Sequence, residues 1–353
     1  APVQSTTLIA YPSDLEERTE VPILLFLHGT SGFTRGCGPT GDPATALLTG
    51  VLASYGWIAV APDYLGLESD GDDYPLIHPY LIGEAVALPS LDAVRAAIEA
   101  LSADAGAVCA SPRVGVLGGS EGGHAALWVD RLAPYYAREL ELIGTVATVP
   151  PGDTVAHAER ALTEIVEATA AIMAAVVTQP EWYGAAERVG EALVSPWDVE
   201  LPAALEASCD PGEVLPDVPP ALGDVFTSTL LDAASAGTLT EVEPFGCYLR
   251  ESGLTTTSVP RIGPTSSSYG ILYVLGENDP LVHTPIERTA YETLCAAGVP
   301  LSYLECAGAN HTEATAWALP EILEFMLARR AGEPFTPECT ARGPVTCRGT
   351  PAP

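Results

Sequence analysis

Ser120 lies in the run Gly118-Gly119-Ser120-Glu121-Gly122-Gly123, directly after the apolar stretch Arg113–Leu117 and before the helix-like segment His124–Tyr136. This is the pattern G-x-S-x-G between a strand and a helix. A turn that sharp strains the serine backbone and lifts its hydroxyl clear of the sheet. Small residues flank it because a Cβ would collide with the folded-back chain. A serine hydroxyl is a weak nucleophile without a base, so the chemistry requires a histidine. The competing reading is a glycine-rich helix start that binds a phosphate or nothing.

Six histidines are available: His28, His78, His124, His157, His283 and His311. Where a serine of this kind is activated, the acid and then the histidine follow it in chain order. His28 and His78 precede Ser120, and His124 follows too closely to leave room for an acid. His157 falls in a helical insertion, and His283 comes too soon after the strand that should supply the acid. His311, in the loop after Leu301–Leu304, is the expected base. The acid should follow Ile271–Leu275, where Glu277 and Asp279 compete in Gly276-Glu277-Asn278-Asp279-Pro280. Asp279 is favoured because it lies further round the turn and Pro280 fixes the chain after it. Its role would be to hold the imidazole tautomer and stabilise the imidazolium. Negative charge developing on a substrate oxygen needs preorganised donors, expected from the backbone N–H groups of Glu121 and Thr30. Asp63 and Tyr64 share that rim, with bracing of the loop and a plain structural role both open. Tyr64, Ile172 and Met173 are expected to contact substrate. An ionised Glu121 should turn its side chain away from this hole, toward an Arg or hydroxyls such as that of Tyr64, or stay protonated. The bland alternative is an outward-facing, solvated glutamate.

The elements that must position these groups are legible as short apolar runs alternating with helical patterns. Val21–Leu27, Trp57–Ala61, Arg113–Leu117, Ile143–Val149, Ile271–Leu275 and Leu301–Leu304 read as strands apolar on both faces, the mark of a parallel sheet covered by helices. Leu91, Val94, Ile98 and Leu101 recur at helical spacing. The series predicts a doubly wound, mostly parallel α/β sheet. From Asp153 to Gly263 no core strand is evident, and an interruption of about 110 residues far exceeds an ordinary loop. Asp153 should cap a helix carrying Leu162, Ile165, Val166, Ile172, Met173, Val176 and Val177, with Thr169 interrupting the stripe. Proline- and acid-rich sequence follows at Pro211–Pro220, then a further helix near Phe226–Ala234. The predicted organisation is a first core segment over residues 1–152, an inserted, mainly helical cap over 153–263, and a second core segment over 264–353 with an extended tail.

Composition bounds the partners. The chain has 353 residues and carries 46 Asp plus Glu against 15 basic residues, a formal charge of −31. Such a surface repels nucleic acid and anionic lipid, so neither is expected as a partner. No apolar run reaches the roughly 18 residues of a spanning helix, and no stable membrane insertion is expected. Eight cysteines without a CxxC pair argue against zinc-ribbon and thioredoxin chemistry, and no metal site is expected. Their even number and dispersal, with a start at Ala1, predict an exported, disulfide-bonded chain. A bridge should tie the Cys339–Cys347 tail to itself or to the core.

Longer strings sharpen these expectations. LHGT at Leu27–Thr30, APDYLGL at Ala61–Leu67, HPYLIGEA at His78–Ala85 and LDAVRAA at Leu91–Ala97 are followed by GGSEGGHAALW at Gly118–Trp128, LGENDPLV at Leu275–Val282 and GANH at Gly308–His311. Together they resemble the secretory lipase family of α/β hydrolases, over roughly residues 21–150 and 269–330. The resemblance implies ester hydrolysis without a cofactor, export, and a helical cap above the site. The family often has Gln where this chain has Glu121. An acylglycerol, small ester or polyester would be the substrate, and the chain is expected to act as a monomer. A serine peptidase or aminoacyl-ester hydrolase on the same three residues is the rival reading, since acidic cap residues could bind an ammonium group. A non-enzymatic binding protein would usually lack one of the three.

Overall fold

The apolar runs assemble into one seven-stranded sheet. In the computed structural model, which describes residues 3–13, 20–70, 76–103, 108–210, 221–264 and 266–352, its strands are β1 (Thr7–Ala10), β2 (Glu20–Leu27), β3 (Ile58–Pro62), β4 (Cys109–Gly119), β5 (Glu141–Thr148), β6 (Ile271–Gly276) and β7 (Leu301–Cys306). Their order is β1-β3-β2-β4-β5-β6-β7, with β1 antiparallel to β3 and all other pairings parallel. The helices of the sheet layers are α1 (Pro43–Ser54), α2 (Gly83–Ala103), α3 (Glu121–Tyr136), then α9 (Thr284–Ala296), α10 (His311–Trp317) and α11 (Leu319–Ala331). Between β5 and β6 come α4 (Thr154–Thr163), α5 (Ala168–Trp182), α6 (Trp197–Leu205), α7 (Ser228–Ala236) and α8 (Phe245–Ser252).

Alternation along the strands explains the two layers. Ile23, Leu25 and Leu27 of β2 and Ile58 and Val60 of β3 face the core under α2, α3 and α9. Leu24 and Ala59 point the other way, joining Leu52 of α1 and Ile322 and Met326 of α11. With both faces dry, the strands read as continuous apolar runs instead of alternating ones. Two features escaped that pattern. β1 is a four-residue edge strand, too short to give a periodic signal. β4 begins four residues earlier than its apolar run, because its pairing with β2 shifts between Val21 and Ile23 and the irregularity accommodates Pro112.

The inserted segment differs from expectation in one respect. Asp153 does cap a helix, its side chain accepting from the Ala156 N–H at 2.9 Å. The stripe from Leu162 to Val177, however, is two helices, α4 and α5, which meet at 114°. Thr169 is the reason the chain can turn there. Its buried hydroxyl donates to the Ala161 carbonyl at 3.3 Å and accepts from the Val166 N–H at 3.0 Å, satisfying backbone groups left free at the break. Among the described residues of 153–263 there is no strand, only an isolated bridge between Leu193 and Phe226. The segment Pro211–Pro220 lies outside the described residues. The inserted helices bury a cluster of their own, which reaches the rest of the molecule through Phe33, Tyr80 and Leu81.

Three disulfides brace this arrangement: Cys37–Cys209, Cys295–Cys339 and Cys306–Cys347. The first ties the segment after β2 to the chain beyond α6. The other two fasten the C-terminal tail to α9 and β7. Cys109 and Cys247 carry free thiols. Among the described residues no single helix is long and apolar enough to cross a membrane.

Candidate active site

Ser120 joins β4 to α3 with φ 58° and ψ −122°, a left-handed conformation that a residue with a side chain adopts only under compulsion. The surroundings supply that compulsion. The Ser120 N–H donates to the Thr148 carbonyl on β5 at 2.9 Å, and its carbonyl accepts from His124 at 3.0 Å. Gly122 presses against the carbonyls of Leu27 and His28, and Gly118 against Gly122, so a Cβ at either position would strike backbone. The first turn of α3 therefore points its unpaired N–H groups, and the positive end of a 16-residue helix, past Ser120.

His311 reaches the same point from the far side of the sheet. Gly276 lets the loop after β7 come close, since a Cβ there would lie 2.7 Å from the carbonyls of Ala309 and Asn310. Asn310 caps α10 reciprocally with Glu313, which fixes His311 at the first helical position. Its Nε2 lies 2.9 Å from Ser120 Oγ and its Nδ1 2.7 Å from Asp279 Oδ2. Asp279 is buried, and its other oxygen accepts from the N–H groups of Leu281 and Val282 at 3.0 and 2.9 Å. Those two bonds aim the carboxylate at the imidazole. Glu277, the alternative acid, is exposed and points elsewhere, accepting from the Gly308 N–H at 2.7 Å. It braces the loop that carries His311.

The loop after β2 passes alongside. A Cβ on Gly29 would sit 3.6 Å from that of Ser120, so the backbone of Gly29 and Thr30 borders the hydroxyl. The Thr30 side chain donates to the Tyr80 hydroxyl at 3.2 Å. His28 stacks on Tyr64 at 4.0 Å between ring centroids, and burial holds its pKa below the usual histidine value. The Tyr64 hydroxyl donates to the His28 carbonyl at 2.8 Å. Tyr64 is thus enclosed behind the loop, which it braces. Asp63 is also buried, taking the Thr40 N–H at 2.9 Å and the hydroxyls of Thr6 and Thr40.

The fold gives Glu121 a partner that the sequence did not name. Its side chain turns inward and is 1% exposed, which removes the solvated alternative. Its partner is neither an arginine nor Tyr64 but His78, whose Nε2 lies 2.6 Å from Oε1. No spacing rule links residues 43 positions apart; only the fold brings them together.

Ile172 and Met173 are both buried, Met173 completely, inside the cluster of the inserted helices. Two cavities flank the loop after β2. One, about 610 Å³, is bordered by His28 to Ser31 and the Cys37–Cys209 bridge. The other, about 630 Å³, is bordered by Thr34, Arg35, Ile77 and, on α5, Val177 and Glu181. Among the described residues no group of three or more His, Cys, Asp and Glu is placed to hold a metal ion.

A mostly parallel, doubly wound sheet with this serine turn after β4 is the architecture of the α/β-hydrolase fold. The sequence profile of the secretory lipase family matches residues 43–193, so the chain resembles that family as its motifs implied. Lipase 7 of Candida albicans is 34% identical over 101 residues, 28% of this chain, and the chain spans only 21% of that lipase. Among solved structures, Candida antarctica lipase A in its closed state superposes with a TM-score of 0.73 at 16% identity, covering 99% of this chain and 79% of that one. The rice cell wall degrading esterase LipA of Xanthomonas oryzae gives 0.68 at 19% identity, over 92% and 84%.

Proposed function

We propose that the protein is an exported carboxylic ester hydrolase that works through a covalent acyl-enzyme. His311 Nε2 takes the proton of Ser120 as its Oγ attacks the ester carbonyl. Asp279 holds the Nδ1–H tautomer and stabilises the imidazolium, and the proton then passes to the leaving alkoxide. Water, deprotonated by the same imidazole, releases the acid in the second half. The backbone N–H groups of Glu121 and Thr30 receive the oxyanion. The observation that carries this reading is the chain of contacts from Ser120 Oγ through His311 to Asp279, at 2.9 and 2.7 Å, beneath a helix N-terminus.

Residues 153–263 act as a cap over the site. Their separate apolar cluster and the disulfide to the loop after β2 support this division. The three disulfides and the likeness to secretory lipases support export. The substrate is an acylglycerol, a small ester or a polyester, processed by a monomer without a cofactor. Turnover of a chain-length series of p-nitrophenyl esters, with and without a serine-directed phosphonate, tests the reading. Hydrolysis abolished in step with labelling of Ser120 is the expected result. Peptide cleavage with no ester turnover would reject it.

A further inference from the structure

Behind the Ser120 turn lies a buried pair that the reaction scheme does not use. Gly66, at φ +83°, lets the chain at 76–78 press against the loop after β3; a Cβ there would lie 2.6 Å from the Leu76 carbonyl and 2.8 Å from the His78 nitrogen. The His78 N–H donates to the Phe33 carbonyl at 2.8 Å, which ties the same chain to the loop carrying Thr30. The imidazole of His78 is completely enclosed, with Nδ1 2.9 Å from the Leu65 carbonyl and Nε2 2.6 Å from Glu121 Oε1.

These two contacts count protons. A carbonyl oxygen only accepts, so Nδ1 of His78 must carry hydrogen. One further proton lies between Nε2 and Oε1. It makes either an imidazolium facing a carboxylate or a neutral imidazole facing a carboxylic acid. The pair is electrically neutral in both forms. The groups around it are His28 and Thr30 from the loop after β2, Tyr64 from the loop after β3, Tyr80 beside His78, and His124 on α3. Burial acts to raise the Glu121 pKa, but His78, then His28 and Thr30, outweigh it and hold it below the ordinary carboxylate value.

We propose that His78 is a positioning residue for ester hydrolysis: it anchors the side chain of the residue after the nucleophile and cancels its charge, so that the adjoining N–H can receive an oxyanion. This rests on the hydrolase reading above. A lone carboxylate ~7 Å from an oxyanion, at an effective dielectric of ~20, would slow acyl transfer about 50-fold.

The test compares the parent, Glu121→Gln, His78→Phe and the double variant with p-nitrophenyl butyrate between about pH 5 and about pH 9, active sites being counted by stoichiometric phosphonate labelling. Phe keeps the ring packed on Tyr64 but strands the carboxylate. His78→Phe should lose about 50-fold in kcat at the alkaline end with little change in KM, and the deficit should shrink as pH falls and the stranded carboxyl takes up a proton. Adding Glu121→Gln to His78→Phe removes the stranded charge and should restore most of the loss. A double variant as slow as His78→Phe, or a single variant equal to the parent at the alkaline end, would overturn the proposal. Nitrogen NMR of the folded parent gives a second check that needs neither a stable variant nor turnover. His78 Nδ1 should stay protonated throughout the range, and an unprotonated Nδ1 would refute the shared-proton pair. A parent that neither turns over ester nor takes up phosphonate would count against the hydrolase reading, leaving the NMR result to judge the pair.

Discussion

Two buried imidazole–carboxylate pairs occupy different regions, His78 with Glu121 behind the Ser120 turn and His157 with Glu287 where α4 meets α9. Their contacts are nearly equal, 2.6 and 2.7 Å. Their surroundings are not. Glu287 also accepts from the Gly152 N–H at 3.0 Å and from the Tyr273 hydroxyl, so the carboxylate stitches the inserted helices to β6 and α9. Glu121 is held chiefly by His78 and sits one residue from the Ser120 hydroxyl. A carboxylate surrounded by donors from three elements is a rivet. One balanced by a single imidazole beside Ser120 belongs to the serine turn instead. Contact length alone does not tell the two apart.

The third such pair, His311 with Asp279, sets the largest expected effect. His311→Ala or Ser120→Ala should each lower kcat by roughly 10⁴ or more, and the two together by little beyond one, because the residues act as a unit. Additive losses in single-turnover assays would separate Ser120 from His311 and undo the contrast at its source.

At the joint the expected effect is on stability. Glu287→Ala strands His157 and the Tyr273 hydroxyl, and breaking a buried pair of this kind costs ~3–5 kcal/mol. Denaturant unfolding should show that loss while kcat of the folded fraction stays close to the parent. A variant of parental stability but low kcat would make Glu287 a site residue and erase the distinction.

His124 on α3 sharpens the comparison through pH. Its Nε2 lies 2.7 Å from the Ser252 carbonyl at the end of α8, and burial lowers its pKa from 6.5 to about 4. The unfolded chain therefore binds the extra proton more readily than the folded one. Stability tied to neutral His124 is complete above pH 6.5 and is lost progressively toward pH 4, by roughly 3 kcal/mol in all. The stability of the parent relative to His124→Gln should fall across that window. A difference that stays flat would show that this link between α3 and α8 does not titrate.

The smallest effect concerns Glu277. Its carboxylate only steadies the Gly308 N–H, so Glu277→Gln should change kcat by about threefold or less, whereas Asp279→Asn should approach 10⁴. A Glu277 variant deader than the Asp279 one would reverse the assignment of the acid.

How much of this could be read from sequence depended on whether the information was local. The strands announced themselves because a sheet dry on both faces demands unbroken apolar runs, and only the short edge β1 and the irregular start of β4 were missed. Ser120, Asp279 and His311 were legible because each lies in a turn after a strand, where chain order restricts the choice. The break at Thr169 was less so, since a stripe compatible with one helix is also compatible with two that turn on a buried hydroxyl.

Sequence by itself thus determined the sheet, the serine turn and the order of the groups around it, because periodicity, glycine and proline act within a few residues. Tertiary structure alone decided that Met173 and Tyr64 are enclosed, that Cys37 bonds Cys209 across 172 positions, and that His78 faces Glu121. Those outcomes depend on which distant segments share the same dry space. A buried carboxylate must find a donor, but the sequence does not say which of the available groups the fold will bring to it.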